Sequence, residues 1–124
     1  MDFTSIVGIG IAHWLGDFVF QTRKVAEGKS KSFRILGQHV ALYTATLAAV
    51  MVPVITQHHS LKSAIAYVLI NGFMHFIIDA TTSKATTYYW GKDEKSNFWN
   101  TVGLDQTLHW MHLLITYMGF FVWK

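Results

Sequence analysis

The chain has 124 residues, enough for one domain spanning residues 1–124 and too few for two, so all functional groups share one core. Hydrophobic residues make up 52% of the sequence and charged residues only 14%, which is too little charge to coat a soluble domain. The net charge of +3 comes from basic residues between apolar runs, which excludes the pattern of a nucleic-acid-binding face, and the lack of cysteine excludes disulfides and thiolate ligands.

Four apolar stretches are long enough to cross a bilayer, which takes about 20 helical residues. In chain order they are 3–22, 37–57, 62–81 and 104–123. Only the second has no ionisable group in its interior, and its run 40–55 offers no polar face to water, which argues against a soluble helical bundle. The sequence therefore predicts an all-α fold, a four-helix transmembrane bundle.

Basic residues are concentrated in two of the three predicted connections, 23–36 and 82–103, whereas the connection between them is nearly uncharged. Lysine and arginine favour the cytoplasmic side of a membrane, so these two connections are expected in the cytoplasm and both termini are expected to be extracytoplasmic. The first apolar stretch follows Asp2 and lacks a basic leader, so we expect it to be retained. The sequence therefore predicts an integral membrane protein.

Three of the four predicted helices carry a histidine and an aspartate four residues apart, a spacing that places both side chains on one helix face. The pairs are His13 with Asp17, His75 with Asp79, and Asp105 with His109. Their order reverses in the helix that runs in the opposite direction, so antiparallel packing predicts an aspartate layer near the cytoplasm and a histidine layer about 6 Å deeper. His39, at the cytoplasmic start of the second helix, can complete the ring.

Ionisable side chains inside a bilayer must pair or bind a ligand, so these seven are expected to face one another. Imidazoles and carboxylates without thiolates suit one or two divalent ions of Zn, Mn, Fe or Mg. The expected ligands are His13, Asp17, His39, His75, Asp79, Asp105 and His109. The expected neighbours that orient them are Gln21, Lys24, Asn71 and Gln106.

The alternative to a metal site is a metal-free polar network or proton relay between the helices. His58 and His59 are expected in solvent, and His112 in the core or beside the ligands.

Several short motifs along nearly the whole chain resemble a family of uncharacterised small integral membrane proteins from bacteria and their phages. The matching elements are His13-Trp14-Leu15-Gly16-Asp17-Phe18 with Gln21 and Lys24, then His39, then His75 with Asp79, then Asp105-Gln106 with His109. The patterns are H-x-x-G-D-F-x-x-Q and D-Q-x-x-H. The resemblance implies a location in the inner membrane of a bacterium, with either the bacterium or a phage encoding the protein. The chain is more distantly similar to membrane-embedded metal-dependent hydrolases. In the family a lysine closely follows the aspartate of the third helix, whereas Lys84 comes five residues after Asp79.

The leading functional hypothesis is a hydrolase in which the metal activates a water molecule against a phosphoester or other ester. Asp17, Asp105 and His39 are the expected catalytic groups, and the substrate, anionic or lipid-linked, would arrive from the cytoplasm or inner leaflet. Arg23, Lys24 and Lys84 are expected either to anchor the helices at headgroups or to meet that substrate. The alternatives are a metal-ion or proton transporter or channel, and a phage or host interaction protein whose metal or polar network only fixes the fold.

Overall fold

The computed structural model describes residues 1–123, and over that range all regular secondary structure is helical, which confirms the all-α prediction. The elements are α1 (Phe3–Trp14), a π-helical segment (Leu15–Val19) that continues it, α2 (Arg23–Gly28), α3 (Phe33–Ile55), α4 (Leu61–Gly91) and α5 (Lys95–Phe121). Four of the five α-helices begin at a polar residue whose side chain accepts a hydrogen bond from a backbone N–H of the first turn. These caps are Asp2, Thr22, Ser32 and Ser60.

The connection predicted over 82–103 is helical almost throughout, because α4 continues to Gly91 and α5 begins at Lys95. Within α4, the hydroxyls of Thr82 and Ser83 donate to backbone carbonyl oxygens one turn earlier, so these polar side chains are compatible with the helix. Asp93, at φ 57°, makes the tight reversal between the helices, a conformation that aspartate tolerates better than most residues. Polarity here marks the end of an apolar span and not the end of a helix.

The other predicted bounds shift by smaller amounts. The first helix leaves helical geometry after Val19 instead of Thr22, and α3 begins at Phe33, four residues before the predicted position 37. The first predicted connection contains the short helix α2.

The four long helices pack as consecutive neighbours, α1 on α3, α3 on α4, and α4 on α5. Side chains of α5 also return to α1: the hydroxyls of Ser5 and Tyr117 lie 2.6 Å apart. The His59 ring, between α3 and α4, lies 4.7 Å from the Phe121 ring at the end of α5. We call this part of the molecule the terminal end. The opposite part, where the Thr87 hydroxyl of α4 meets Ser30 beside α2, is called the α2 end.

Apolar side chains fill the interior toward the terminal end and also cover much of the outer surface. The buried core residues are Ile9, Ala12, Tyr43, Leu47, Met51, Ile55, Ala64, Tyr67, Val68, Leu113, Tyr117 and Phe121. On the outside, α4 exposes a row of large apolar side chains at four-residue spacing, formed by Ile65, Leu69, Phe73 and Ile77. Two helices, α3 and α4, are long and apolar enough to cross a membrane, and the stretch Phe3–Val19 is a shorter apolar helix.

Candidate metal centre

Four buried side chains from three elements converge at one point in the interior. Asp17 comes from the π-helical segment, His39 from α3, and His75 and Asp79 from α4. His39 Nε2 lies 3.1 Å from Asp17 Oδ1, 3.2 Å from Asp79 Oδ2 and 3.1 Å from His75 Nε2. His75 Nε2 lies 3.7 Å from Asp17 Oδ1 and 3.5 Å from Asp79 Oδ2. We call these four residues the primary group.

The spacing of the primary group matches the edges of a tetrahedral coordination shell. Ligand atoms held about 2.0 to 2.1 Å from a tetrahedral ion are about 3.3 Å from one another. The five separations above range from 3.1 to 3.7 Å, and the remaining pair, the oxygens of Asp17 and Asp79, lies within 4.8 Å. The four atoms can therefore hold one ion with little rearrangement.

A second group shares Asp17 and adds Asp105 and His109 from α5, all buried and with ligand atoms within 4.8 Å of one another. His109 Nδ1 donates to the backbone carbonyl oxygen of Asp105 at 2.9 Å, which leaves Nε2 as the nitrogen with a lone pair. That Nε2 lies 3.8 Å from Asp79 Oδ1. The Asp105 carboxylate accepts hydrogen bonds from the Thr82 hydroxyl and the Gln106 amide, at 2.5 and 2.9 Å.

We call the primary group together with Asp105 and His109 the cluster. The π-helical segment carries Asp17 into this cluster. Phe20 N–H donates to the carbonyl oxygen of Leu15 at 2.9 Å, the five-residue spacing of a π turn, a feature that recurs at functional sites. Gly16 allows α1 to approach α3 closely, because a Cβ there would lie 2.9 Å from Tyr43 Cδ2. The Tyr43 ring in turn stacks on the His75 imidazole with centroids 3.7 Å apart. The sequence of this turn thus fixes both a carboxylate and an imidazole.

His13, an expected ligand, lies beside the cluster and belongs to neither group. Its Nε2 is 2.9 Å from Gln106 Oε1 and its Nδ1 is 3.3 Å from the Tyr43 hydroxyl. Its nearest contact with an aspartate is 4.0 Å, to Asp17 Oδ2. The Gln106 amide nitrogen donates to Asp17 Oδ2 at 3.0 Å and also to Asp105. His13 and Gln106 therefore hold the carboxylates in place from one side.

The histidine and aspartate side chains do not form two separate layers. Each pair converges on the same depth, because the long imidazoles point back toward the carboxylates: His75 Nε2 is 3.5 Å from Asp79, and His109 Nδ1 is 3.6 Å from Asp105. His39 reaches the same point from α3 and completes the ring.

The expected orienting residues are distributed unevenly around the cluster. Gln21 donates from its amide to the backbone carbonyl oxygen of Asp17 at 2.9 Å. Lys24 is exposed on α2, and its side chain forms no hydrogen bond with residues 1–123. Asn71 lies one turn away from His75 and bonds instead to His112 at 2.8 Å and to Thr116 at 3.0 Å. Asn71, His112 and Thr116 thus form a polar network that is separate from the cluster.

Two further histidines and one lysine considered in the sequence analysis lie away from the cluster. His58 is exposed and His59 half-buried against Phe121. Lys84 is exposed, with its ammonium 5.6 Å from the centre of the Phe33 ring.

Lys29 is a member of the site that the sequence did not reveal. Its ammonium donates to Asp79 Oδ2 at 2.8 Å, and its side chain is largely buried. Burial lowers the pKa of Lys29, but the carboxylates of Asp79 and Asp17 outweigh this and raise the pKa above its usual value. The side chain is therefore a cation at neutral pH. In the sequence it is one of several basic residues in a connection, and only the path of α2 brings it inward.

The charges and hydrogen bonds of the cluster are incomplete. Three carboxylates and one ammonium leave a charge of −2 when the imidazoles are neutral, which one divalent cation would balance. Five buried polar atoms of residues 1–123 have no hydrogen-bond partner. They are Gln21 Oε1, His39 Nδ1, His75 Nδ1, Asp79 Oδ1 and His109 Nε2. Buried polar atoms without partners are costly, so a cluster of them indicates a further ligand.

A cavity of about 640 Å³ connects the cluster to the surface at the α2 end. Its buried lining includes Asp17 and Asp105, and its exposed lining includes Trp90 and Trp99, so it runs from the cluster outward. Lys29, whose ammonium contacts buried Asp79, also lines the cavity. The walls come from α2, the last turns of α4 and the first turns of α5, which are segments that the sequence prediction placed in connections.

No curated protein and no solved structure matches this chain. One family does match, over residues 7–124, which is nearly the whole chain and includes every member of the cluster. The chain therefore belongs to the family described as protein of unknown function DUF3307.

Proposed function

We propose that this protein is a membrane-embedded hydrolase that holds one divalent cation in the primary group and cleaves a phosphoester or other ester at the cytoplasmic face of the bacterial inner membrane. The observation that carries this proposal is the spacing of four buried ligand atoms, with five of their six separations between 3.1 and 3.7 Å, beside an open cavity that Asp17 lines. Two imidazoles and two carboxylates in a tetrahedral arrangement favour Zn over the octahedral preference of Mg.

The charge of the cluster supports one ion and not two. A single divalent cation neutralises the charge of −2, whereas a second would leave two positive charges in the interior. We therefore assign Asp17, His39, His75 and Asp79 as ligands and leave Asp105 for another role. The amide of Gln106 lies between Asp17 and Asp105 and supplies the positive dipole that a second ion would otherwise provide.

Asp105 is the best-placed general base. It lines the cavity, and the Thr82 hydroxyl and the Gln106 amide fix the orientation of its carboxylate. An ion held by these four residues would have to accept a water molecule as an additional ligand in order to lower the pKa of that water and polarise the ester. Asp105 would take the proton of the attacking water, and Lys29 would face the negative charge of the substrate.

The membrane setting is proposed from composition and from the exposed surface. We propose that α1 with the π-helical segment, α3, α4 and α5 all cross the bilayer, with both termini outside the cytoplasm. The outer face of α5 supports this, because it exposes large apolar side chains that a soluble protein would cover. They are Leu104, Leu108, Met111 and Ile115.

Single-cysteine labelling tests the topology, and the protein has no cysteine of its own in residues 1–123 to give background. A membrane-impermeant maleimide added to intact cells should label His58→Cys, and it should label Lys31→Cys only after the membrane is permeabilised. Labelling of position 31 in intact cells would overturn both the topology and the proposed side of the site.

Elemental analysis of the purified protein tests the function. We expect about one transition metal ion per chain, followed by metal-dependent cleavage of p-nitrophenyl phosphate or its diester when each metal is restored in turn. Protein that binds no stoichiometric metal under any condition would refute the hydrolase and leave a polar network between helices.

A metal-ion or proton transporter is the second candidate, favoured by the separate network of Asn71, His112 and Thr116, which lies on the side of the cluster that faces the terminal end. Beyond it, the interior is closed by apolar side chains such as Leu47 and Met51. We therefore expect no saturable proton or divalent-ion flux in reconstituted vesicles above that of empty vesicles. Flux that depends on Asp79 would place the transporter ahead of the enzyme.

A further inference from the structure

The lining of the cavity changes in chemistry from its inner to its outer part. The inner part holds the carboxylates of Asp17 and Asp105 together with the Lys29 ammonium, which is bonded to Asp79. Farther out, Arg23 is paired with Glu27 at 2.7 Å, which leaves Lys31 as an additional basic side chain at the mouth. An anionic group entering from the α2 end would therefore meet cations before it meets the cluster.

An aromatic wall forms one side of the same cavity. The rings of Trp90 and Phe98 lie 5.1 Å apart, as do those of Phe98 and Trp99, so the wall joins the end of α4 to the start of α5. Trp90 and Trp99 are 63% and 65% exposed, an unusual exposure for such large apolar side chains. Tryptophan is enriched at the boundary between bilayer and water, where one side of the ring meets lipid.

The size of the cavity also exceeds the needs of a small anion. At about 640 Å³ it lies within the range of about 300 to 1,000 Å³ that is typical of sites for whole small molecules. Inorganic phosphate would use the basic side chains and leave the aromatic wall without a role. A ligand with one anionic group and an apolar chain would use both parts.

We propose that the cavity binds the phosphate headgroup of an anionic membrane lipid, which would make a lipid phosphoester the substrate of the hydrolase proposed above. The headgroup lies against Lys29, close to Asp79 and the primary group, and the first part of the acyl chain lies against Trp90 and Trp99. The lipid enters from the leaflet that borders the α2 end. This inference rests on the proposed function for catalysis, but the binding itself does not require turnover.

Native mass spectrometry of the full protein in detergent, with and without metal, tests the binding. Dioleoyl phosphatidic acid should bind as one molecule per chain and at least about tenfold more tightly than dioleoyl phosphatidylcholine. Lys29→Gln should weaken phosphatidic acid binding about tenfold, because it removes the charged hydrogen bond to the phosphate. Lys24→Gln, a matched loss of charge outside the cavity, should leave the affinity within about twofold.

A second pair of variants tests the aromatic wall. Trp99→Ala should weaken phosphatidic acid binding about fivefold by removing apolar contact area. Trp14→Ala removes an equally large ring from α1 that is 57% exposed and lies outside the cavity, so it should have no effect on the affinity. Displacement of bound lipid by equimolar inorganic phosphate would instead indicate a site for soluble phosphate and would overturn the lipid inference.

The remaining outcomes separate the two proposals. Equal binding of phosphatidic acid and phosphatidylcholine, insensitive to Lys29→Gln, would indicate ordinary surrounding lipid and refute the inference, even if the protein cleaves soluble esters. Selective, Lys29-dependent binding by a protein that holds no metal would support the lipid site and refute the hydrolase.

Discussion

The two ends of the molecule share the four long helices and both contain buried polar groups, but these groups are hydrogen-bonded differently. At the terminal end, the hydroxyls of Ser5 and Tyr117 bond to each other, and Tyr67 donates to the backbone carbonyl oxygen of Leu113 at 3.2 Å. All five buried polar atoms without a partner, within residues 1–123, belong instead to the cluster toward the α2 end or to Gln21 beside it.

This difference separates buried polar groups that bond to other groups of the protein from buried polar atoms that have no hydrogen-bond partner. A network that only links helices satisfies its own donors and acceptors, as the hydroxyls of the terminal end do. His39 and His75 contact the carboxylates through Nε2, and their Nδ1 atoms have no hydrogen-bond partner. His109 Nδ1 instead donates to a backbone carbonyl oxygen, and its Nε2 lies 3.8 Å from Asp79 Oδ1, with neither of these two atoms hydrogen-bonded. That arrangement is typical of ligands oriented by neighbouring hydrogen bonds.

Asp79→Asn should produce the largest effect. Asp79 is fully buried and contacts His39, His75 and Lys29, and the amide removes one of the negative charges that would hold the cation. We expect metal affinity to fall by tenfold or more, with loss of metal-dependent turnover. Elemental analysis after gel filtration measures the first effect. Ser5→Ala, at the terminal end, is the control and should keep its metal. Full metal content in Asp79→Asn would show that the primary group is not the site.

Asp105→Asn should lower turnover and leave the metal in place. The substitution keeps the shape of the side chain and removes its ability to accept a proton, so kcat should fall about 100-fold or more while metal stoichiometry stays near one. Parallel kinetics and elemental analysis of the same preparation distinguish the two roles. If metal content falls together with turnover, Asp105 is a ligand and the second group holds an ion.

Gly16→Ala should cost less and act through packing. The added Cβ would lie 3.3 Å from Tyr43 Cα and 2.9 Å from its ring, so α1 and α3 must separate where the ring supports His75. We expect a loss of about 1 to 3 kcal/mol in stability and a modest loss of metal affinity. Gly37→Ala is the matched control, because its Cβ would meet nothing within 4 Å and should be neutral or stabilising. Thermal unfolding in detergent measures both. Equal unfolding temperatures would show that the close approach is not required.

The sequence was sufficient to find most of the cluster because helical periodicity is a local property. Four-residue spacing places His75 and Asp79 on one face whatever the surroundings, and the reversed order of Asp105 and His109 follows from helix direction. The position of His39 followed from antiparallel packing alone. None of this depends on side-chain rotamers.

What the sequence did not reveal depends on nonlocal geometry. Lys29 reaches Asp79 only because α2 folds the connection back over the cluster, and no periodicity encodes that path. His13 has the same spacing to its aspartate as the other histidines, but Gln106 from another helix bonds its Nε2. The cavity walls were missed because hydropathy reports membrane depth, and helices α4 and α5 continue past the apolar spans.

Tyr117→Phe, at the terminal end, should produce the smallest effect on stability and on metal binding. It removes the hydroxyl that lies 2.6 Å from Ser5 Oγ and leaves that buried oxygen without its partner, at a cost of about 1 to 2 kcal/mol in stability. Ser5→Ala leaves the tyrosine hydroxyl unpaired at a similar cost. The double variant should be less destabilised than the sum of the two, because neither group is then left alone. Thermal unfolding of the wild type, the two single variants and the double variant gives the coupling energy.

Because the polar groups of the terminal end are hydrogen-bonded without a ligand, metal content and turnover should match the wild type in each variant. A drop in metal affinity in Tyr117→Phe would show that the two ends are coupled through α5, and that the cluster depends on packing well beyond its own contacts.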